Sequence, residues 1–197
     1  WVYIVPIIIG GVVQSMFYGI SVIPTSIAVS IAGVLASLQN EMIYHDQLTG
    51  LFNRHYLHYL LKKYIDRPKL NITGIMIDLN GFKHINDEFG HAAGDDALLM
   101  SARILKSAVN NSGSVIRYAG DEFIILLNTQ DDAAIEHRIS RIRERFDEFN
   151  KTESKPYVLS VSIGYHKFDT KTESEDTFIN VVDSRMYEDN KAFYAAH

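Results

Sequence analysis

The 197-residue sequence contains no cysteine. A disulfide framework and a thiolate zinc centre are therefore excluded, and the chain suits a reducing compartment. Charge is missing from a whole segment: residues 1–40 hold no Asp, Glu, Lys or Arg, and every Lys and Arg lies from Arg54 onward. An excess of positive charge is missing too. Asp and Glu number 24 against 19 Lys and Arg, a formal net charge of −5, which argues against a nucleic-acid partner because a phosphate backbone rewards a basic face. No internal repeat or low-complexity tract interrupts the chain. What remains is an apolar stretch followed by a charged region, each suited to a different solvent.

A helix that crosses a bilayer needs about 20 apolar residues, so a charge-free stretch of this length allows two spans. The sequence is read as a transmembrane helical hairpin over residues 1–40, with spans Val2–Phe17 and Ile23–Leu38 and a break over Tyr18–Thr25, where Gly19 and Pro24 turn the chain. It opens at Trp1, without a methionine, and is read as a piece of a larger membrane region. A buried pair of core helices is the alternative; a signal peptide fits worse, for want of a basic start. Arg54, Lys62 and Lys63 follow the second span, which places the charged part in the cytoplasm of a membrane-anchored protein. Residues 41–52 are a helical connector, and residues 53–197 form the main domain.

In that domain Tyr56, Leu57, Leu60, Leu61 and Tyr64 recur at helical spacing behind Asn53, a suitable N-cap. Ile72–Leu79 is a short apolar run that reads as a buried central strand ending at Asp78. A helix is expected over Asp95–Val109, with strands over Ser114–Tyr118 and Phe123–Leu127 joined by an acidic turn. The amphipathic stretch Asp131–Asn150, a strand at Val158–His166 and a helix over Asp176–Phe193 complete the set. This succession predicts an α+β fold with helices packed on a sheet.

Three acids stand where strands end or turn: Asp78, Asp121 and Glu122. A chain entering a buried sheet seldom places carboxylates there unless something neutralises them. If the first strand and the hairpin are neighbours, the acids form a hard oxygen site suited to Mg²⁺. Taken alone, Asp121 and Glu122 read sooner as solvated turn residues beside Gly120 than as a metal site. Between Asp78 and Asp95 the segment DLNGFKHINDEFGHAAGD is dense in polar groups that helices disfavour and contains Gly81, Gly90 and Gly94. Guanine presents adjacent N–H donors and a carbonyl, so a carboxylate and a carboxamide suffice to read its edge; Asp95 and Asn86 are the candidates. Lys83 is a candidate for phosphate. Each of these is, singly, more often a cap or surface residue, and Asp95 suits the first turn of the helix that follows.

Four ordered motifs, DQLTGLFNR at Asp46–Arg54, DLNGFKHINDEFGHAAGD at Asp78–Asp95, RYAGDEF at Arg117–Phe123 and SVSIGY at Ser160–Tyr165, together resemble the GGDEF domain family of diguanylate cyclases. The resemblance implies a ferredoxin-like, palm-type nucleotidyl cyclase domain with a central antiparallel sheet. It also implies condensation of two GTP into cyclic di-GMP with release of pyrophosphate, in a homodimer whose protomers each hold one GTP, with cyclic di-GMP effectors downstream. By position, Asp78, the Leu79 carbonyl, Asp121 and Glu122 would bind Mg²⁺ or Mn²⁺, with Asp121 and Glu122 the catalytic acids. Asn86, Asp95, Lys83 and Gly120 would bind substrate.

The sequence departs from the family pattern at several places. The signature's first glycine is Ala119, whose added methyl costs about 1 kcal/mol or more if that position needs positive φ or close approach to a phosphate. Asn80 replaces a common second Asp, and Asn190 stands where a phosphate-gripping Lys is expected, with Lys191 one residue late. Asn110–Gly113 replaces the motif of product inhibition, so no inhibitory site is expected. The alternative function is a catalytically inactive GTP-binding module that regulates a partner.

Overall fold

A computed structural model describes residues 4–17, 21–66, 71–152 and 154–196. They form two compact units, Trp1–Tyr44 and His45–His197.

The first unit is a pair of contacting helices, α1 (Val5–Met16) and α2 (Ile23–Tyr44). Small residues set their contact: a Cβ on buried Gly10 would fall 2.0 Å from Ser26 Oγ, and Gln14 Oε1 accepts from the Val22 and Ile23 amides at 3.1 Å each. The expected membrane spans are not supported. α1 has 12 residues, which at about 1.5 Å per residue fall well short of a hydrocarbon core of about 30 Å. The 22 residues of α2 include Thr25, Ser26, Ser30, Ser37, Gln39, Asn40 and Glu41, which lower its hydropathy. Among the described residues no helix is long and apolar enough to cross a membrane. Val2 and Tyr3 of the first expected span, and residues 18–20 of the expected break, lie outside the described residues.

The second unit is built on one five-stranded sheet. Its elements are β1 (Phe52–Asn53), α3 (Arg54–Ile65), β2 (Ile72–Leu79), α4 (Phe82–Phe89), α5 (His91–Val109), β3 (Gly113–Ala119), β4 (Glu122–Leu127), α6 (Asp132–Thr152), β5 (Val161–Phe168) and α7 (Glu175–Ala196). The strand order is β1-β3-β4-β2-β5. Omitting β1, this is the β-α-β-β-α-β arrangement of ferredoxin-like folds. The sheet is mixed rather than wholly antiparallel, because β1 pairs parallel to β3 while all other pairings are antiparallel.

Helices cover both faces, which explains why β2 reads as a continuous apolar run. Ile75 and Ile77 face a core shared with Leu98 and Leu105 of α5 and with Ile142 and Phe146 of α6. Ile72 and Met76 face Leu57 and Leu61 of α3 with Phe178 and Val182 of α7. Local signals set the boundaries. Asn53 Oδ1 accepts from Tyr56 N at 3.2 Å and opens α3, and Asp131 Oδ2 accepts from Ala134 N at 2.9 Å and opens α6.

The segment expected to resist helix formation is helical. Gly81 at φ +70° and Gly90 at φ +84° stand at the two ends of α4, so they delimit the helix and do not interrupt it. α5 begins at His91, four residues before the expected start, with Gly94 buried inside it. That glycine is required by packing, since a Cβ there would lie 2.0 Å from Asn86 Oδ1.

Candidate active site

The site gathers where β2 and the β3–β4 hairpin end together. Asp78 on β2 pairs with Glu122 on β4 and with Ser162 on β5. Directly opposed residues share a face of the sheet, and for this pair it is the face covered by α3 and α7, since Met76 and Ile124 two residues away belong to that core. Asp121 occupies the turn between β3 and β4. The expected convergence of strand and hairpin is therefore present.

Crowded carboxylates hold their protons more tightly. Burial first, then the charges of Asp121, Glu122 and Asp183, push Asp78 up to about 7. Glu122 is raised by burial, by Asp183 and by Asp121, against the opposing charge of Arg54. Asp121 is raised by burial, opposed by a backbone hydrogen bond and Arg117. Asp183, on α7, is the fourth acid of the site, and the sequence reading passed over it. Its position two helical turns before Asn190 was the available signal, because residues seven apart share a helix face.

The donor set is hard oxygen, and a divalent cation would relieve its repulsion. Among the described residues no group of three acidic or histidine side chains is drawn close enough to enclose a metal ion. The residues fit Mg²⁺ by the chemistry of their oxygens.

The hairpin turn is braced from outside. Arg117 donates to the Gly120 carbonyl through Nε at 2.9 Å and through its second terminal nitrogen at 2.7 Å. Its other terminal nitrogen meets both Asp46 carboxylate oxygens at 3.1 Å. Asp46 Oδ1 also accepts from Thr49 N at 2.8 Å and Thr49 Oγ1 at 2.6 Å. The DQLTG motif thus folds into a turn that anchors the acidic hairpin. Gly120 carries φ +39°. Ala119 does not have positive φ; among the described non-glycine residues only Asn110 does. The feared backbone strain at Ala119 is absent, because the left-handed turn position is the second glycine of the signature.

Asn86 is half-buried on α4 and Asp95 is exposed on α5. Gly94, the residue before Asp95, packs closely against the Asn86 carboxamide. Lys83 is exposed on the first turn of α4. Asn190 Nδ2 donates to Asp78 Oδ2 at 3.1 Å and to Asn80 Oδ1 at 3.2 Å, while Lys191 lies over the Tyr187 ring at 4.4 Å. In SVSIGY, Gly164 is demanded by α7: a Cβ would lie 2.1 Å from Met186 N. A cleft lined by Asn71, Gln130, Lys167 and Thr170 is at the opposite end of β2 and takes no part in this site.

Residues 43–193 match the family described as diguanylate cyclase, GGDEF domain. The chain belongs to that family. This GGDEF domain is 34% identical over 155 residues to diguanylate cyclase A of Treponema denticola, covering 75% of this chain and 42% of that protein. It is also 34% identical over 134 residues to cyclic di-GMP phosphodiesterase NbdA of Pseudomonas aeruginosa, covering 66% of this chain and 17% of that protein. The chain spans less than half the length of these curated relatives. The fold matches the coiled coil and GGDEF domain of DgcB from Caulobacter crescentus, crystallised with c-di-GMP, with a TM-score of 0.78, 18% identity, and coverage of 86% of this chain and 92% of that one.

Proposed function

We propose that this GGDEF domain is a diguanylate cyclase, condensing two GTP into cyclic di-GMP and two pyrophosphates at the interface of two protomers. The observation that carries the reading is the pairing of Asp78 with Glu122 across β2 and β4, with Asp121 in the adjoining turn. Each 3′-hydroxyl oxygen forms a bond to the α-phosphorus of the other nucleotide as that phosphorus loses its bond to the bridging oxygen of pyrophosphate. The hydroxyl proton passes to a carboxylate, for which Glu122, raised by burial and neighbouring acids, is suited. Asp78, Asp121 and the Leu79 carbonyl would hold Mg²⁺ or Mn²⁺, with Glu122 completing the set. The ion supplies charge neutralisation at the phosphates.

Asn86 and Asp95 read guanine through an acceptor and donor pair, and Lys83 and the Gly120 backbone approach phosphate. The role of the protein is mainly to position two nucleotides head to tail, which is where orientation contributes most. GTP is a cytoplasmic nucleotide, and the domain is proposed to work there. Asn110–Gly113 stands in place of the family's product-inhibition motif, so turnover is proposed to be insensitive to product at that place.

A second reading, a catalytically inactive GTP-binding module that regulates a partner, is favoured by one observation. Asn190 is bound to Asp78 and Asn80, and Lys191 is engaged with Tyr187, so α7 presents no cation at Asp78 from these two positions. Incubation of the full chain with GTP and Mg²⁺, with separation of products, decides between the two. Cyclic di-GMP supports the cyclase; bound GTP without product supports the silent module.

A further inference from the structure

Two side chains one helical turn apart on α7 reach the segment that leaves β2. Asn190 Nδ2 donates to Asp78 Oδ2 at 3.1 Å and Asn80 Oδ1 at 3.2 Å. The Tyr194 hydroxyl accepts from the Gly81 N–H at 2.9 Å. Residues four apart lie on one face of a helix, so the last turns of α7 lie along Asp78–Gly81 as a strap with two fasteners, both uncharged.

One of the fastened groups, the Gly81 N–H, is a donor that a phosphate could use. Gly81 is the N-cap of α4, and backbone amides at a helix N-terminus lack intrahelical acceptors and favour anions. A phenolic oxygen now takes the Gly81 amide. Beside it, Asn80 is 6% exposed, and its Nδ2 has no hydrogen-bond partner. Its orientation is fixed by donors on the other side, because Asn80 Oδ1 accepts from Ser162 Oγ at 2.7 Å as well as from Asn190. The segment thus holds one buried donor unused and another occupied by a neutral oxygen of the same chain.

We propose that Asn190 and Tyr194 form a latch that holds Asp78–Gly81 in the nucleotide-free protein and competes with the nucleotide's phosphates for the Gly81 amide. The inference rests on the nucleotide reading of the site. A binding-competent state that is only partly populated weakens apparent affinity by its fraction, so loosening the latch strengthens nucleotide binding.

The test uses the full chain and Tyr194→Phe, which keeps the ring and removes the hydroxyl. Hydrogen exchange at the Gly81 amide is measured without nucleotide, and the dissociation constant is measured for 3′-deoxy-GTP with Mg²⁺, a probe that cannot attack. Loss of one neutral hydrogen bond predicts Gly81 exchange faster by about two- to tenfold and a dissociation constant lower by a similar factor. Unchanged exchange overturns the latch. Faster exchange with an unchanged or larger dissociation constant overturns the competition while leaving the cyclase reading intact. Failure of both proteins to bind the probe overturns the nucleotide reading and the latch with it.

Discussion

Asp78 and Glu122 stand opposite one another in the β2–β4 ladder, on the face of the sheet that α7 covers. Like charges directly opposed across strands are destabilising. The fold keeps this pair together and adds Asp121 and Asp183 to its surroundings. A domain selected for stability alone would not place four acids at one sheet end; a site that receives a cation and phosphates has reason to.

The first prediction concerns that repulsion. Asp78 is raised from 3.8 to about 7, and a carboxyl with a raised folded pKa contributes stability that is fully present below its unfolded value and is lost as pH rises through its folded value. Stability of the metal-free protein therefore falls between about pH 4 and pH 7 on account of this group. Asp78→Asn is expected to unfold at a higher temperature than the parent at pH 8, by about 1–2 kcal/mol once solvent screening is allowed for, with the gap shrinking toward pH 4. Thermal unfolding in chelator at the two pH values checks it.

Arg117 joins two motifs that are distant in sequence. Replacing it with Ala removes the contacts to Asp46 and to the Gly120 carbonyl, with an expected cost of about 2–3 kcal/mol in chemical denaturation. A loosened turn also misplaces Asp121 and Glu122, and turnover should drop by about tenfold to a hundredfold. Burial alone would raise Asp46, but hydrogen bonds from Thr49 and Arg117 and the Arg117 charge outweigh it and hold that carboxyl below 3.8. This stabilisation is present above pH 3.8 and is lost as pH falls through the lower folded value. An Asp46→Asn variant should lose that part of the acid transition.

At the signature, Ala119→Gly should yield no stability and cost up to about 1 kcal/mol, because a strand end with ordinary φ gains nothing from glycine. Gly120→Ala places a side chain at φ +39° and should cost about 1–2 kcal/mol. Paired denaturation curves for the two variants separate the positions. An Ala119→Gly variant more stable than the parent would show that the first position is strained after all.

Gly164→Ala tests the contact of β5 with α7. The added methyl meets the backbone at Arg185 and Met186, with the nearest atom 2.1 Å away, and backbone cannot swing aside. A loss of about 1–3 kcal/mol is expected, measured by thermal unfolding.

Much of this fold is legible in the sequence because each element carries its own period. The apolar run from Ile72 is an interior strand that runs one residue past its expected end at Asp78, to Leu79, and the apolar face of α6 is buried at Ile135, Ile142 and Phe146. α4 escapes because its eight residues are mostly polar, and its helicity comes from tertiary packing of Ile85 with glycines marking its ends. β1 escapes because two residues carry no pattern. The apolar N-terminal stretch gives its two helices, Val5–Met16 and Ile23–Tyr44, on either side of the expected break. Their length and apolar content are a separate matter, and among the described residues no helix is long and apolar enough to cross a membrane.

The acids at the site are legible individually, and their opposition across β2 and β4 follows once the hairpin is placed beside the central strand. Asp183 is legible only through its helical spacing from Asn190, and Tyr194 is not legible, because it reaches the site from α7 across a distance in sequence that only packing sets.

The measurement that bears most directly on the account is product formation from GTP and Mg²⁺ by the full chain beside its Glu122→Ala variant, resolved by chromatography and mass. Cyclic di-GMP and two equivalents of pyrophosphate from the parent, reduced by at least about a hundredfold in the variant, are the predicted result. Equal product from both proteins, or GTP bound by the parent with no cyclic di-GMP at high protein concentration, would contradict it.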